Sequence, residues 1–86
     1  MIAYDFTRQA YKLLLKLPPN IQRQIIKKLE HYLAQPDPLV FAKRIAGSPA
    51  ESYRFQAGDY RIIFDRLDAR RVLITKVGHR KDVYKN

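Results

Sequence analysis

The sequence predicts an α+β fold: an N-terminal strand, an α-helical hairpin, then an antiparallel three-stranded meander, with the helices packed on one face of a four-stranded sheet. Three observations carry this. Residues 2–6 alternate apolar and polar side chains, residues 7–35 repeat apolar side chains at helical spacing on either side of Pro18-Pro19, and alternation returns from Glu51 onward.

In the first segment Ile2, Tyr4 and Phe6 alternate with Ala3, Asp5 and Thr7, the period of a half-buried strand. Thr7 then offers a hydroxyl to an orphan backbone N–H and caps a helix in which Ala10, Leu13, Leu14 and Leu17 form one apolar stripe. Pro18 and Pro19 end it, and Pro19 suits the first turn of a second helix, where its missing N–H costs nothing. The second helix turns Ile21, Ile25, Leu29 and Tyr32 or Leu33 inward and Arg23, Lys27, Lys28 and Glu30 outward, and it stops by Gln35 because Pro36 and Pro38 follow. Tyr4, Tyr11 and Tyr32 read as core or core-edge aromatics, and His31 as exposed. Residues 36–50 read as a connecting loop in which Lys43 and Arg44 add charge.

In the meander, Tyr53 and Phe55 alternate with Arg54 and Gln56, and Tyr60, Ile62 and Phe64 with Arg61, Ile63 and Asp65. A further turn falls near Asp68-Ala69, and Val72 to Val77 reads as a central strand covered on both faces. A two-residue loop at Ala57-Gly58 keeps the apolar side chains on one face. It sets Phe55 opposite Tyr60, Tyr53 opposite Ile62 and Arg54 opposite Arg61. Directly opposed like charges cost about 0.2–1 kcal/mol. The pair either splays into water or holds a phosphate. Gly78 is expected to break the last strand and bring Arg80 and Tyr84 back over the open face, beside Arg54 and Arg61.

Composition narrows the function. With 86 residues the chain has room for one domain, spanning residues 1–86. It holds no cysteine and only His31 and His79 as histidines, so disulfides and Cys-based zinc sites are excluded and the expected chemistry needs no metal or cofactor. No basic segment precedes an apolar run at the N-terminus, and Leu13 to Leu17 is far too short to span a bilayer, so a cytoplasmic location is expected by default. Seventeen Lys and Arg against eight Asp and Glu leave a net charge of +9, which points to a polyanionic partner, nucleic acid before an acidic protein or a membrane surface.

The run Tyr53-Arg54-Phe55-Gln56-Ala57-Gly58-Asp59-Tyr60-Arg61-Ile62-Ile63-Phe64, followed by Gly78-His79-Arg80-Lys81-Asp82-Val83-Tyr84, resembles the RelE/ParE toxin superfamily, and the two-helix start extends the resemblance over nearly the whole chain. Resemblance to the RelE branch implies the toxin of a type II toxin–antitoxin pair, a metal-independent endoribonuclease that enters the ribosomal A site and cuts mRNA there. In that chemistry a ribose 2′-OH attacks the neighbouring phosphate and leaves a 2′,3′-cyclic phosphate and a 5′-OH. Matched by position, Arg61 and Arg80 would stabilise the phosphorane, Arg54 would support the phosphate, and Tyr84 would be the general base. Nearby cations favour the phenolate that such a base requires.

Gln56 stands where the branch often carries a second lysine that protonates the leaving oxygen. Lys76, Lys81, His79 or water would then take that role. Lys43, Arg44, Gln56, Lys76 and Lys81 are candidate RNA contacts, and Arg23 and Lys27 on the second helix are candidates for gripping 16S ribosomal RNA near the A site. The implied partners are a RelB-like antitoxin, mRNA and the ribosome, with no membrane. The same superfamily also implies an alternative, a ParE-like inhibitor of DNA gyrase. Charge alone would permit a third reading, a non-catalytic nucleic-acid-binding module.

Overall fold

A computed structural model describes residues 2–47 and 51–83. Strand β1 (Ala3–Phe6) leads into helix α1 (Arg8–Leu15) and helix α2 (Pro19–Leu33); a short 3₁₀ turn (Pro38–Phe41) precedes β2 (Lys43–Arg44), and β3 (Ser52–Ala57), β4 (Tyr60–Asp68) and β5 (Arg71–His79) complete the sheet. The order across the sheet is β1-β5-β4-β3-β2. β1 runs parallel to β5 and every other pairing is antiparallel. The predicted α+β class therefore holds, with five strands instead of four. The stretch expected to be only a loop, residues 36–50, supplies the fifth. Its two residues, Lys43 and Arg44, pair with Arg54 and Tyr53 at the sheet edge, where so short a strand limits the exposed edge.

The helix signals act as read. Thr7 Oγ1 accepts from the Ala10 N–H at 3.0 Å, and Pro19 is the first residue of α2. Ala10 and Leu14 of α1 and Ile25, Leu29 and Leu33 of α2 are buried against Phe55, Ala57, Ile62, Phe64, Val72, Ile74 and Val77 of the sheet. α1 lies on β5, and α2 lies on β3 and β4. Each fully buried Phe, Ile or Leu contributes about 1.5–3 kcal/mol. The rings of Tyr32, Phe55 and Phe64 stack in succession, with centroids 4.6 and 4.5 Å apart. Tyr4 ties β1 to α2 by donating to Glu30 Oε2 at 2.9 Å. Tyr11 is more exposed than a core-edge residue, at 51%, because it stands off the apolar stripe, where it meets Phe6 edge-on.

Two features of the sheet depart from the sequence reading. The β3–β4 loop is Gly58-Asp59, shifting the pairing by two residues, so that Phe55 faces Ile62, Tyr53 faces Phe64, Arg54 faces Ile63 and Gln56 faces Arg61. Gly58 has φ +62° and Asp59 has no positive φ, the pattern of a type II′ turn, which takes glycine at its first loop position. A shift of two preserves the faces, so the core is as expected and only the cross-strand partners change.

The second departure is a bulge in β5. Lys76 pairs with Ile63 and Ile74 with Phe64, leaving Thr75 as the extra residue, its Oγ1 donating to the Ile63 carbonyl at 3.3 Å. Val72, Ile74 and Val77 therefore share the helix-covered face, while Leu73 on the other face is only half-buried. Among the described residues no helix is long and apolar enough to cross a membrane.

Candidate active site

The helices leave the other face of the sheet uncovered, and alternation along the strands decides what stands on it. Residues paired across antiparallel strands point to the same side. One row across β2, β3, β4 and β5 is therefore Lys43, Arg54, Ile63 and Lys76, and the next is Gln56, Arg61 and Gly78. Arg61 lies diagonal to both Arg54 and Lys76, about 7–8 Å away at the backbone. The expected head-on pairing of Arg54 with Arg61 does not occur, and the like charges are spared direct opposition. Further along the same face come Ser52, Asp65, Leu73 and Asp5. Ser52 donates to Asp65 Oδ1 at 2.5 Å, so acidic groups gather at one end of the face and cations at the other.

The β5 bulge is what brings Lys76 here. Without the extra Thr75, the alternation that buries Val72 and Ile74 would turn residue 76 into the core and Val77 out. The signal lies in the sequence as the interval from Ile74 to Val77, three residues where an unbroken strand has two.

The cationic end is built around the β3–β4 turn. Arg61 Nη1 donates to the Gly58 carbonyl at 3.1 Å and the Tyr60 carbonyl at 3.2 Å. The Arg80 N–H donates to the Asp59 carbonyl at 2.8 Å, and its Nε stands 4.0 Å from Asp59 Oδ1. The side chains of Arg80 and Asp59 are 56% and 68% exposed, so that ion pair orients more than it stabilises. Asp59, as the anchor of Arg80, was not singled out from sequence.

Gly78 does not break the strand. It sits inside β5 opposite Arg61, and the chain turns only after His79, whose carbonyl accepts from the N–H groups of Asp82 (2.8 Å) and Val83 (2.9 Å). A Cβ on Gly78 would stand 3.7 Å from Val83 Cα and Cβ, so the returning chain lies against the glycine on the open face. Val83 is 2% exposed yet stands outside the core cluster between sheet and helices, as a residue on the opposite side of the sheet must. The chain returns over the open face as far as Val83, carried by this turn and not by a break at Gly78. Tyr84 lies outside the described residues.

His79 is committed to the turn: its Nδ1 accepts from the Lys81 N–H at 3.1 Å, and its ring meets Tyr60 edge-on at 5.4 Å on the helix side. Lys81 is exposed within the turn. Arg44, paired with Tyr53, belongs to the opposite face from Lys43, at the edge. Arg23 and Lys27 are exposed on α2, which covers the other side of the sheet, so the fold does not bring them to Arg54 and Arg61.

The family model of the ParE toxin of the type II toxin–antitoxin system parDE matches residues 4–84. A chain of the RelBE2 toxin–antitoxin complex from Mycobacterium tuberculosis is 29% identical with a TM-score of 0.77, the match covering 91% of this chain and 96% of that one. The isolated RelE toxin of E. coli is 26% identical with a TM-score of 0.72, covering 92% and 84%. A chain of the RelB–RelE complex from Methanococcus jannaschii is 25% identical with a TM-score of 0.67, covering 92% and 93%. No curated protein matches the sequence.

Proposed function

Because the chain belongs to the ParE toxin family of type II toxin–antitoxin systems, within the RelE/ParE superfamily, we propose that it is a ribosome-dependent endoribonuclease that cuts mRNA in the A site. The observation that carries this reading is the open sheet face, where Arg54, Arg61 and Lys76 surround Ile63 and the turn that anchors Arg61 also anchors Arg80. A phosphodiester attacked by its own 2′-OH passes through a phosphorane bearing added negative charge. Preorganised cations and N–H donors aimed at that charge are each worth roughly 10²–10³ in rate.

The roles are those that the resemblance implies for the matching residues of this sequence. Arg61 and Arg80 stabilise the phosphorane, and Arg54 supports the phosphate from the adjoining row. Tyr84 takes the 2′-OH proton, the attacking oxygen bonds to phosphorus, and the P–O5′ bond breaks, giving the cyclic phosphate and a 5′-OH. Lys76 protonates the departing oxygen in place of the lysine that Gln56 replaces. Among the three side chains considered for that role, His79 is held in the turn through Nδ1 and Lys81 stands out in solvent, whereas Lys76 shares the row with Arg54. Lys43 extends the basic track toward the sheet edge, and Lys81, Arg44, Arg23 and Lys27 bind RNA away from the reacting phosphate. An antitoxin of the RelB type, acidic where it lies on this face, would mask Arg54, Arg61 and Arg80.

The matching family model bears the name of ParE, which favours gyrase inhibition as the second reading. The similar solved structures carry the name of RelE, and a protein-binding poison has no need of clustered cations of phosphate size. Induction of the chain in a bacterial host separates the two: the nuclease reading predicts an immediate stop of protein synthesis with intact DNA, and early DNA damage with translation continuing would replace it by the gyrase reading.

A further inference from the structure

At the edge of the candidate site lies a cavity of about 550 Å³ that the roles above touch through Lys76. β1 pairs with β5 as far as Ile74, so among the described residues no strand pairs with the stretch from Thr75 to His79 on that side, and α1 passes beside it. The apolar lining comes from Leu13, Leu17, Val77 and Val83, with Lys16 and Lys76 also bordering the space. Its size is that of a small-ligand site.

We propose that this cavity is a nucleotide subsite: it takes one base of the RNA strand against the apolar lining, with the adjoining phosphodiester held by Lys16 and Lys76. The inference rests on the nuclease reading of the neighbouring face and extends it. Three observations support it. Lys76 belongs both to the cavity lining and to the row with Arg54, so one strand can run from the site into the cavity without a gap in positive charge. Asp82 also lines the space, and among the described lining residues two ammonium groups against one carboxylate leave a single positive charge, matched to one phosphodiester. The backbone completes the site. The Arg80 N–H to Asp59 carbonyl bond sets the alternation on β5, so the N–H and C=O of Val77 point away from β4, toward that side. A donor and an acceptor side by side, within an apolar lining, suit the edge of a base.

The probe is an RNA trinucleotide with 2′-O-methyl sugars, which cannot be cleaved, compared with an abasic trimer of equal charge. Binding to the full chain is followed by NMR at the Val77 and Val83 amides and the Leu13 and Leu17 methyls. The expected result is base-dependent shifts at these four residues, binding about tenfold tighter than that of the abasic trimer, and a salt slope lowered by about 0.7 in Lys16→Gln, as for one single-strand phosphate contact. Leu17→Phe, which fills the cavity, is expected to abolish the difference between the two trimers, with thermal melting as the control for folding. Equal binding of the two trimers, or shifts in wild-type protein confined to Arg54, Arg61 and Ile63, would overturn the subsite. Cleavage on ribosomes without base-dependent binding here sinks the subsite alone. Base-dependent binding here without cleavage supports the subsite and sinks the nuclease reading.

Discussion

Arg61 and Arg80, 19 positions apart in the chain, are tied to consecutive carbonyls of one tight turn: Arg61 donates through Nη1 to Gly58, and Arg80 through its backbone N–H to Asp59. Neither tether depends on burial or on a salt bridge of consequence. The geometry of a two-residue turn is stiff, so it fixes the Arg61 guanidinium relative to the backbone that carries Arg80. Such preorganisation is what makes fixed donors effective toward a developing charge.

The turn itself is therefore a point of leverage. Gly58→Ala puts a side chain at φ +62°, and its Cβ would stand 2.7 Å from Gln24 Nε2, a flexible group that now donates to the Ala57 carbonyl. We expect a loss of about 1–2 kcal/mol, chiefly from the backbone, read as a lowered urea midpoint at unchanged slope. Asp59→Ala, which keeps the backbone bond to Arg80, should change stability by less than about 0.5 kcal/mol. Equal losses in the two variants would contradict this account of the turn.

Lys76 is predicted to protonate the leaving 5′-oxygen. Lys76→Met should lower single-turnover cleavage by about 10²–10⁴-fold. A substrate whose bridging 5′-oxygen is replaced by sulfur leaves without a proton, and on it the variant should approach wild-type rate. A deficit of the same size on both substrates would take proton transfer from Lys76 and leave it phosphate binding alone.

The layout of the molecule was legible because it rests on local signals. The Thr7 cap, the Pro18-Pro19 corner and the alternation in β3 and β4 each act within a few residues, and each appears as read. Placement of the site was less legible because it depends on register. Arg54 and Arg61 were matched to the correct face but paired head-on, since Ala57-Gly58 and Gly58-Asp59 preserve the same alternation. Only the demand for a positive φ at the first loop position distinguishes them. The Thr75 bulge hid in a run apolar enough to pass for a strand covered on both sides, and with it the position of Lys76. Lys43-Arg44 is too short to show a period, so β2 exists through its pairing with β3 and not through any pattern of its own. Gly78 looked like a strand breaker, but it is a flat patch on which Val83 rests.

A pH dependence follows from Tyr4. Its phenol is pushed above the usual tyrosine value of 10.0, first by burial and then by the hydrogen bond to Glu30 and that carboxylate's negative charge. A group whose folded pKa lies above its unfolded value contributes its full stabilisation below the unfolded pKa, and the contribution fades as pH rises through 10 toward the folded value. Denaturant titrations should therefore show wild type losing stability relative to Tyr4→Phe as pH rises through 10, with a constant difference between the two from about pH 6 to 9. A gap that stays constant through the alkaline range would remove the Tyr4–Glu30 contact from the account.

The central claim, that the face holding Arg61 and Arg80 cuts RNA, is tested most directly by incubating the purified chain with programmed ribosomes and mapping the message ends. The account predicts A-site cuts bearing a 2′,3′-cyclic phosphate, slowed by about 10²–10³-fold in Arg61→Ala and in Arg80→Ala and clearly weakened in Tyr84→Phe. An intact message with folded protein and competent ribosomes, or cuts unaffected by both arginine variants, would contradict it.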